Sequence, residues 1–218
     1  MIKHLIWDLD GTLFDTYPAL TAAFLATLAD WGHYPESELV LGLARVSLTH
    51  CMAFLATAYQ LPRATIEQGF NSQYAQIPYH KQPLRPGAHA LCSYIRSLKG
   101  KNVIVTHRPR HSTTELLDAH ALRPLIVDCI TVDDEFPKKP DPTSMLVIMS
   151  RNGIACSEGL AIGDRALDIA AGQAAGLRTC LLGQLDNQVQ SDFRVDHLDE
   201  LLEIIQRENR NGTDVLGH

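Results

Sequence analysis

The chain has 218 residues, 45% apolar and 20% charged, with 19 basic against 25 acidic side chains and a formal net charge of −6. These proportions exclude wholesale disorder and fit one domain, or one domain carrying a modest insertion. The acidic balance excludes a nucleic-acid binder relying on a general basic surface, but leaves open a small anionic ligand in a locally positive pocket.

In chain order, the first apolar run, His4–Trp7, ends at Asp8. A short run apolar on both faces predicts a central strand of a parallel sheet. From Tyr17 to about Pro83 there is no strand pattern but four helical ones: Ala19–Trp31, Glu36–Ala44, Leu48–Gln60 and Ala64–Ile77. Pro35, Pro62, Pro78, Pro83 and Gly32 punctuate them, and Ala22, Leu25, Leu28 and Ala29 form an apolar stripe at helical spacing. Thereafter helices predicted at His89–Leu98, Ser112–His120, Pro142–Arg151 and Leu167–Ala175 alternate with strand-like runs. These runs are Val103–Val105, Ile130–Val132, Leu160–Ile162 and Thr179–Leu182. A last helix, Leu198–Arg207, is expected to give way to a fraying polar tail from Glu208. The alternation predicts an α/β fold, a parallel sheet with helices on both faces. Residues 1–16 and 84–218 form its core, and 17–83 a helical insertion.

No apolar run approaches the ~20 residues that cross a bilayer, and the N-terminal MIKHLIWDLD lacks the pattern of a secretory signal, so no membrane partner is expected. Five cysteines without a CxxC pair read as reduced, mostly buried thiols, in keeping with a cytoplasmic protein. Nothing in the sequence fixes an oligomeric state.

Ligands of open α/β sheets sit beyond the carboxyl ends of the strands. Here those ends carry Asp8, Thr106, Asp133, Asp134 and Asp164. In Asp8-Leu9-Asp10-Gly11-Thr12, two carboxylates two residues apart repel unless a cation or proton lies between them, and Gly11 frees the backbone to turn. DLDGTLFDT after a strand resembles the opening motif of the haloacid dehalogenase-like (HAD) hydrolases. Three further motifs follow in that family's order: Thr106 in VIVTHR, Lys139 in KKPDP, and Gly163-Asp164 with Asp168 in IGDRALDIAAGQAAG. The overall look is closest to the phosphoglycolate phosphatase-like subgroup.

The resemblance implies a Rossmann-like core with a small α-helical cap, and a phosphatase acting on a small phosphorylated metabolite. Asp8 would be the nucleophile, forming an aspartyl-phosphate, and Asp10 the general acid and then base. Mg²⁺ would be held by Asp8, the Asp10 main-chain carbonyl and Asp164, with Asp168 supporting from behind on the same helical face. Thr106 and Lys139 would bind phosphoryl oxygens, Lys139 rather than Lys138 because it directly precedes Pro140-Asp141-Pro142. Where many relatives carry Asn-Lys after the threonine, this chain has His107-Arg108. Both residues either face the substrate mouth or merely end the strand. Arg165 is a mouth residue or an ion-pair partner. Tyr17, Trp31, His33, Arg45 and His50 are the insertion's candidates for substrate recognition, Arg45 also for a second phosphate. A phosphosugar mutase of the same family would share all four core motifs, a dehalogenase would have no use for Asp10, and a non-catalytic binding protein would be expected to lack one of the carboxylates.

Overall fold

The computed structural model describes residues 1–183 and 188–214. After β1 (His4–Trp7) come four helices, α1 (Tyr17–Ala29), α2 (Ser37–Val46), α3 (Leu48–Ala58) and α4 (Arg63–Ala75). The chain continues as α5 (Ala88–Ser97), β2 (Lys101–Val105), α6 (Arg110–Ala119), β3 (Ile126–Ile130) and α7 (Thr143–Asn152). It closes with β4 (Gly159–Gly163), α8 (Ala166–Ala174), β5 (Arg178–Leu182), β6 (Phe193–Val195) and α9 (Leu198–Asp214). Two compact units result, Met1–Phe14 with Leu84–His218, and Asp15–Pro83.

In the first unit the six strands form one parallel sheet in the order β3-β2-β1-β4-β5-β6. Ile6, Val103, Val105, Ile130 and Ala161 pack against Met145, Ile148 and Met149 of α7 and Ala171 of α8. On the opposite face Trp7 Nε1 donates to Asn102 Oδ1 at 3.3 Å, and Asn102 Nδ2 donates to the Cys92 carbonyl of α5 at 3.0 Å. Helices therefore cover both faces, and the fold is α/β and Rossmann-like. Every residue of β1 and β4 is buried. Each fully buried Leu or Ile there contributes about 1.5–3 kcal/mol. Because β2 and β4 lie on opposite sides of β1, the loops leaving β1 and β4 diverge and open a crevice at their carboxyl ends.

The Asp15–Pro83 unit is wholly helical, with its own core of Leu20, Phe24, Leu28, Leu55, Ile66 and Phe70 among others. Phe24 stacks on Phe70 with centroids 4.2 Å apart. The buried stripe of α1 differs from the expected one: Ala22 is exposed and Thr27 buried. The Thr27 hydroxyl donates to the Ala23 carbonyl at 2.8 Å, so its polarity is satisfied within the helix.

Three further expectations need correcting. The strand placed at Ile130–Val132 runs instead from Ile126 to Ile130, and Val132–Asp134 is a 3₁₀ turn. As the sheet's edge β3 is only partly buried, and Asp128 and Cys129 interrupt its apolar run. β6 was not anticipated: three residues offer too little pattern. The expected tail from Glu208 is helical to Asp214, because tertiary contacts hold it. Asn209 is buried and brackets Ile2, accepting from its N–H at 2.7 Å and donating to its carbonyl at 2.8 Å, while Arg178 pairs with Glu208 at 2.6 Å. All five cysteines are free thiols, but only Cys51, Cys92 and Cys180 are buried, and Cys156 is exposed. No helix among the described residues is long and apolar enough to cross a membrane.

Candidate active site

The β-ladder carries the first carboxylate into place: Asp8 N–H donates to the Ile162 carbonyl at 2.9 Å, extending the β1–β4 pairing by one residue. The chain then turns tightly. Leu13 and Phe14 N–H both donate to the Leu9 carbonyl at 3.0 Å, and Gly11 has φ 87°, a conformation side chains rarely tolerate. The turn brings Thr12 back over the strand end, its hydroxyl 3.3 Å from Asp8 Oδ2 and 3.2 Å from Asp164 Oδ1. The sequence reading missed Thr12 as a contributor, although it stands inside the DLDGT motif.

Asp164 follows β4 directly. It precedes α8 rather than lying one helical turn below Asp168, so the shared helix face expected from their spacing is not what joins them. The strand–turn–helix bend does so, and it depends on Gly163, where a Cβ would fall 2.1 Å from Asp168 Cβ. Asp168, in the first turn of α8, accepts from Arg165 N–H at 3.2 Å. Asp8, Asp164 and Asp168 are all buried, with carboxylate oxygens within 4.8 Å of one another.

Two cationic side chains enter this cluster. Lys139 Nζ lies 2.5 Å from Asp8 Oδ1, 2.5 Å from Asp168 Oδ1 and 3.1 Å from the Val105 carbonyl. Arg165 lies 3.7–4.0 Å from Asp168, Asp164 and Asp8. Burial opposes the charge on Lys139, but Asp168 and Asp8 outweigh it and hold the ammonium above its usual range. Burial likewise works against an ionised Asp8, yet Lys139 and Arg165 overcome it and keep the carboxyl below its ordinary value. Asp168 moves the other way, raised by burial and by the neighbouring Asp8 charge despite Lys139. Of these two adjacent carboxylates, Asp8 is thus the more readily ionised. Lys138, by contrast, is exposed.

Thr106, Asp10, Arg108 and His107 belong to the same unit as this centre. Thr106 sits one residue past β2, its N–H donating to the Ile130 carbonyl at 3.0 Å and its hydroxyl accepting from Arg108 N–H at 3.1 Å. Asp10 Oδ1 meets the Arg108 guanidinium at 2.9 Å, and Arg108 also donates to Ser112 Oγ at 3.0 Å. Arg108 is buried, whereas the Asp10 side chain is 26% exposed and reachable. His107 Nε2 accepts from Lys139 N–H at 3.1 Å. Burial, then the Lys139 charge, pushes its pKa down to about 4, so the ring is neutral and able to accept. Arg45 belongs to the helical unit, its guanidinium 5.6 Å from the Tyr17 ring centroid. In that unit His33 packs on Tyr59, Trp31 is exposed, and His50 N–H caps onto Ser47.

The donor set suits a small hard cation. Three buried carboxylates face one ammonium and one guanidinium, an all-oxygen site whose negative charge is incompletely matched.

The chain matches the family model described as haloacid dehalogenase-like hydrolase over residues 5–182. It is 28% identical over 223 residues to the phosphoglycolate phosphatase of Vibrio parahaemolyticus, covering 94% of this chain and 96% of the relative. It is 30% identical over 187 residues to that of Rhodospirillum rubrum, covering 81% and 78%. The fold is shared with the Bacillus subtilis hydrolase YfnB, solved bound to magnesium, at a TM-score of 0.75 and 23% identity over 94% of this chain and 99% of the other. With four motifs, a parallel sheet and an acidic cluster at its switch point, the chain belongs to the haloacid dehalogenase-like hydrolases and is similar within them to the phosphoglycolate phosphatases.

Proposed function

We propose that the protein is a magnesium-dependent phosphatase that hydrolyses a small phosphomonoester through an aspartyl-phosphate on Asp8, with 2-phosphoglycolate the first substrate to test. The observation carrying this reading is the buried Asp8, held anionic by Lys139 within 4.8 Å of Asp164 and Asp168. Asp8, Asp164 and the Asp10 carbonyl would hold the ion, which when bound supplies charge neutralisation between carboxylate and phosphate.

In the first step an Asp8 oxygen attacks phosphorus and the bond to the leaving oxygen breaks. Asp10 gives that oxygen its proton, so the product departs as a free alcohol and Asp10 remains as a carboxylate. In the second, a water oxygen attacks the phosphorus of the aspartyl-phosphate, Asp10 takes the proton, and inorganic phosphate departs from a regenerated Asp8. Lys139 and the Thr106 hydroxyl stabilise the equatorial oxygens, where charge accumulates. Arg108 fixes the Asp10 carboxyl, and Thr12 orients Asp8 and Asp164.

The test is phosphate release from an aryl phosphate, from 2-phosphoglycolate and from sugar phosphates, with Mg²⁺ and with EDTA. Release that EDTA abolishes and Asp8→Asn eliminates in a folded variant is the expected result. Wild-type rates in Asp8→Asn, or sugar-phosphate isomerisation without phosphate release, would overturn it.

A further inference from the structure

Lys139 is held at both ends, and the two attachments differ in kind. Its ammonium is gripped by Asp8, Asp168 and the Val105 carbonyl, while its main-chain N–H is gripped by one neutral imidazole nitrogen, His107 Nε2. The lysine comes from the loop that links β3 to α7, whereas His107 directly follows Thr106 at the end of β2. Around Lys139 the loop reads Pro137-Lys138-Lys139-Pro140-Asp141-Pro142, so half of its residues have no N–H with which to anchor themselves. Of the other two N–H groups, Asp141 donates locally to the Lys138 carbonyl at 3.1 Å. The His107 contact is a bond from this loop to a neighbouring strand end, made at the residue that delivers the ammonium.

We propose that His107 is a positioning residue: it holds the Lys139 main chain, and through it the ammonium, at the phosphoryl position beside Thr106. The assignment rests on the phosphatase reading for its catalytic consequence, but the contact itself is testable without turnover. An imidazole that is neutral at physiological pH accepts at one nitrogen only, so the Nε2 acceptor requires the remaining proton on Nδ1. Misplacing a charge-compensating group by about 1 Å costs on the order of 10²-fold in rate. Such a loss falls on kcat, because Lys139 acts most strongly on the oxygens of the transferring phosphoryl group.

Two variants separate positioning from packing. His107→Phe keeps a ring without an acceptor, and His107→Gln places an amide oxygen at nearly the same reach. The first readout is hydrogen exchange of the 137–142 segment, whose amide hydrogens belong only to Lys138, Lys139 and Asp141. Exchange at Lys139 should accelerate at least tenfold in His107→Phe and return toward wild type in His107→Gln. The second is steady-state hydrolysis of an aryl phosphate: kcat should fall on the order of 10–100-fold in His107→Phe with KM little changed, and His107→Gln should recover most of it. Unchanged Lys139 exchange in a folded His107→Phe, or equal loss of kcat in both variants, overturns the proposal. If the wild-type protein hydrolyses no phosphomonoester, the phosphatase reading falls, and the exchange measurement still decides whether His107 holds Lys139.

Discussion

A hydroxyl carries one proton, and Thr12 stands between two carboxylates that both want it. Donating to either fixes that carboxylate's orientation and leaves the hydroxyl's lone pairs facing the other. Thr12 therefore keeps Asp8 and Asp164 close, and under the proposed function a bound Mg²⁺ would quench the remaining repulsion. Orienting groups of this sort are typically worth 10–100-fold in metal affinity. Thr12→Val, which keeps the shape and removes the hydroxyl, should raise the Mg²⁺ concentration for half-maximal activity by about that factor, and Thr12→Ser should restore it. An Mg²⁺ titration of the three proteins reads this directly, and equal half-saturation would show that Thr12 only fills space. At this scale the sequence exposes the residues that end strands, because Asp8, Thr106 and Asp164 each follow an apolar run. It does not expose contacts made across loops. That Thr12 folds back over Asp8, or that His107 turns to the backbone of Lys139, depends on turns whose geometry no residue spacing specifies.

Elements meet at the site because one glycine lets them. β4 runs into α8 with Gly163 facing the Cβ of Asp168 at a distance no side chain could share. Gly163→Ala should destabilise the fold by about 1–3 kcal/mol through forced displacement of α8, measured by denaturant unfolding. It should also lower activity beyond what the unfolded fraction explains, because the displaced residue is Asp168. Wild-type stability and activity together would mean the helix has room that the structure does not show. Burial explains which elements are legible from sequence. β1 and β4, buried on both faces, appear as unbroken apolar runs. β3, the open edge, does not. Its Asp128 is accommodated by Asn152 Nδ2 at 2.8 Å, a tertiary partner that permits a charge where the pattern expects none. α9 overran its expected end for a related reason. Its last turns are polar, and their helical state follows from the Asn209–Ile2 bonds across the whole chain.

For the whole molecule, pH dependence follows from the neutral His107. Its folded-state pKa, lowered to about 4 from 6.5, means that the unfolded chain binds a proton more readily across that interval. The neutral ring's contribution to stability is therefore fully present above pH 6.5 and is lost as pH falls toward 4. His4, also lowered by burial, adds to the same trend, so the comparison must isolate His107. The melting temperature of the wild type relative to His107→Gln should decline between pH 6.5 and 4.5, and a constant difference would contradict the assignment.

The join between the two units has a consequence of its own. The chain departs at Phe14 and comes back at Leu84, and these two residues form an antiparallel bridge, with Arg85 N–H donating to the Leu13 carbonyl at 3.0 Å. Asp15 N–H and the Pro83 carbonyl close the next rung at 2.8 Å. A doorway this narrow makes the helical segment an interchangeable cassette. Because closing a longer excursion adds little entropy cost once its ends are fastened, about 0.6 kcal/mol for each doubling, the helices can be shortened, enlarged or traded for others. Selection can thus exchange the helical segment while the α/β unit that carries Asp8, Thr106, Lys139 and Asp164 keeps its sequence.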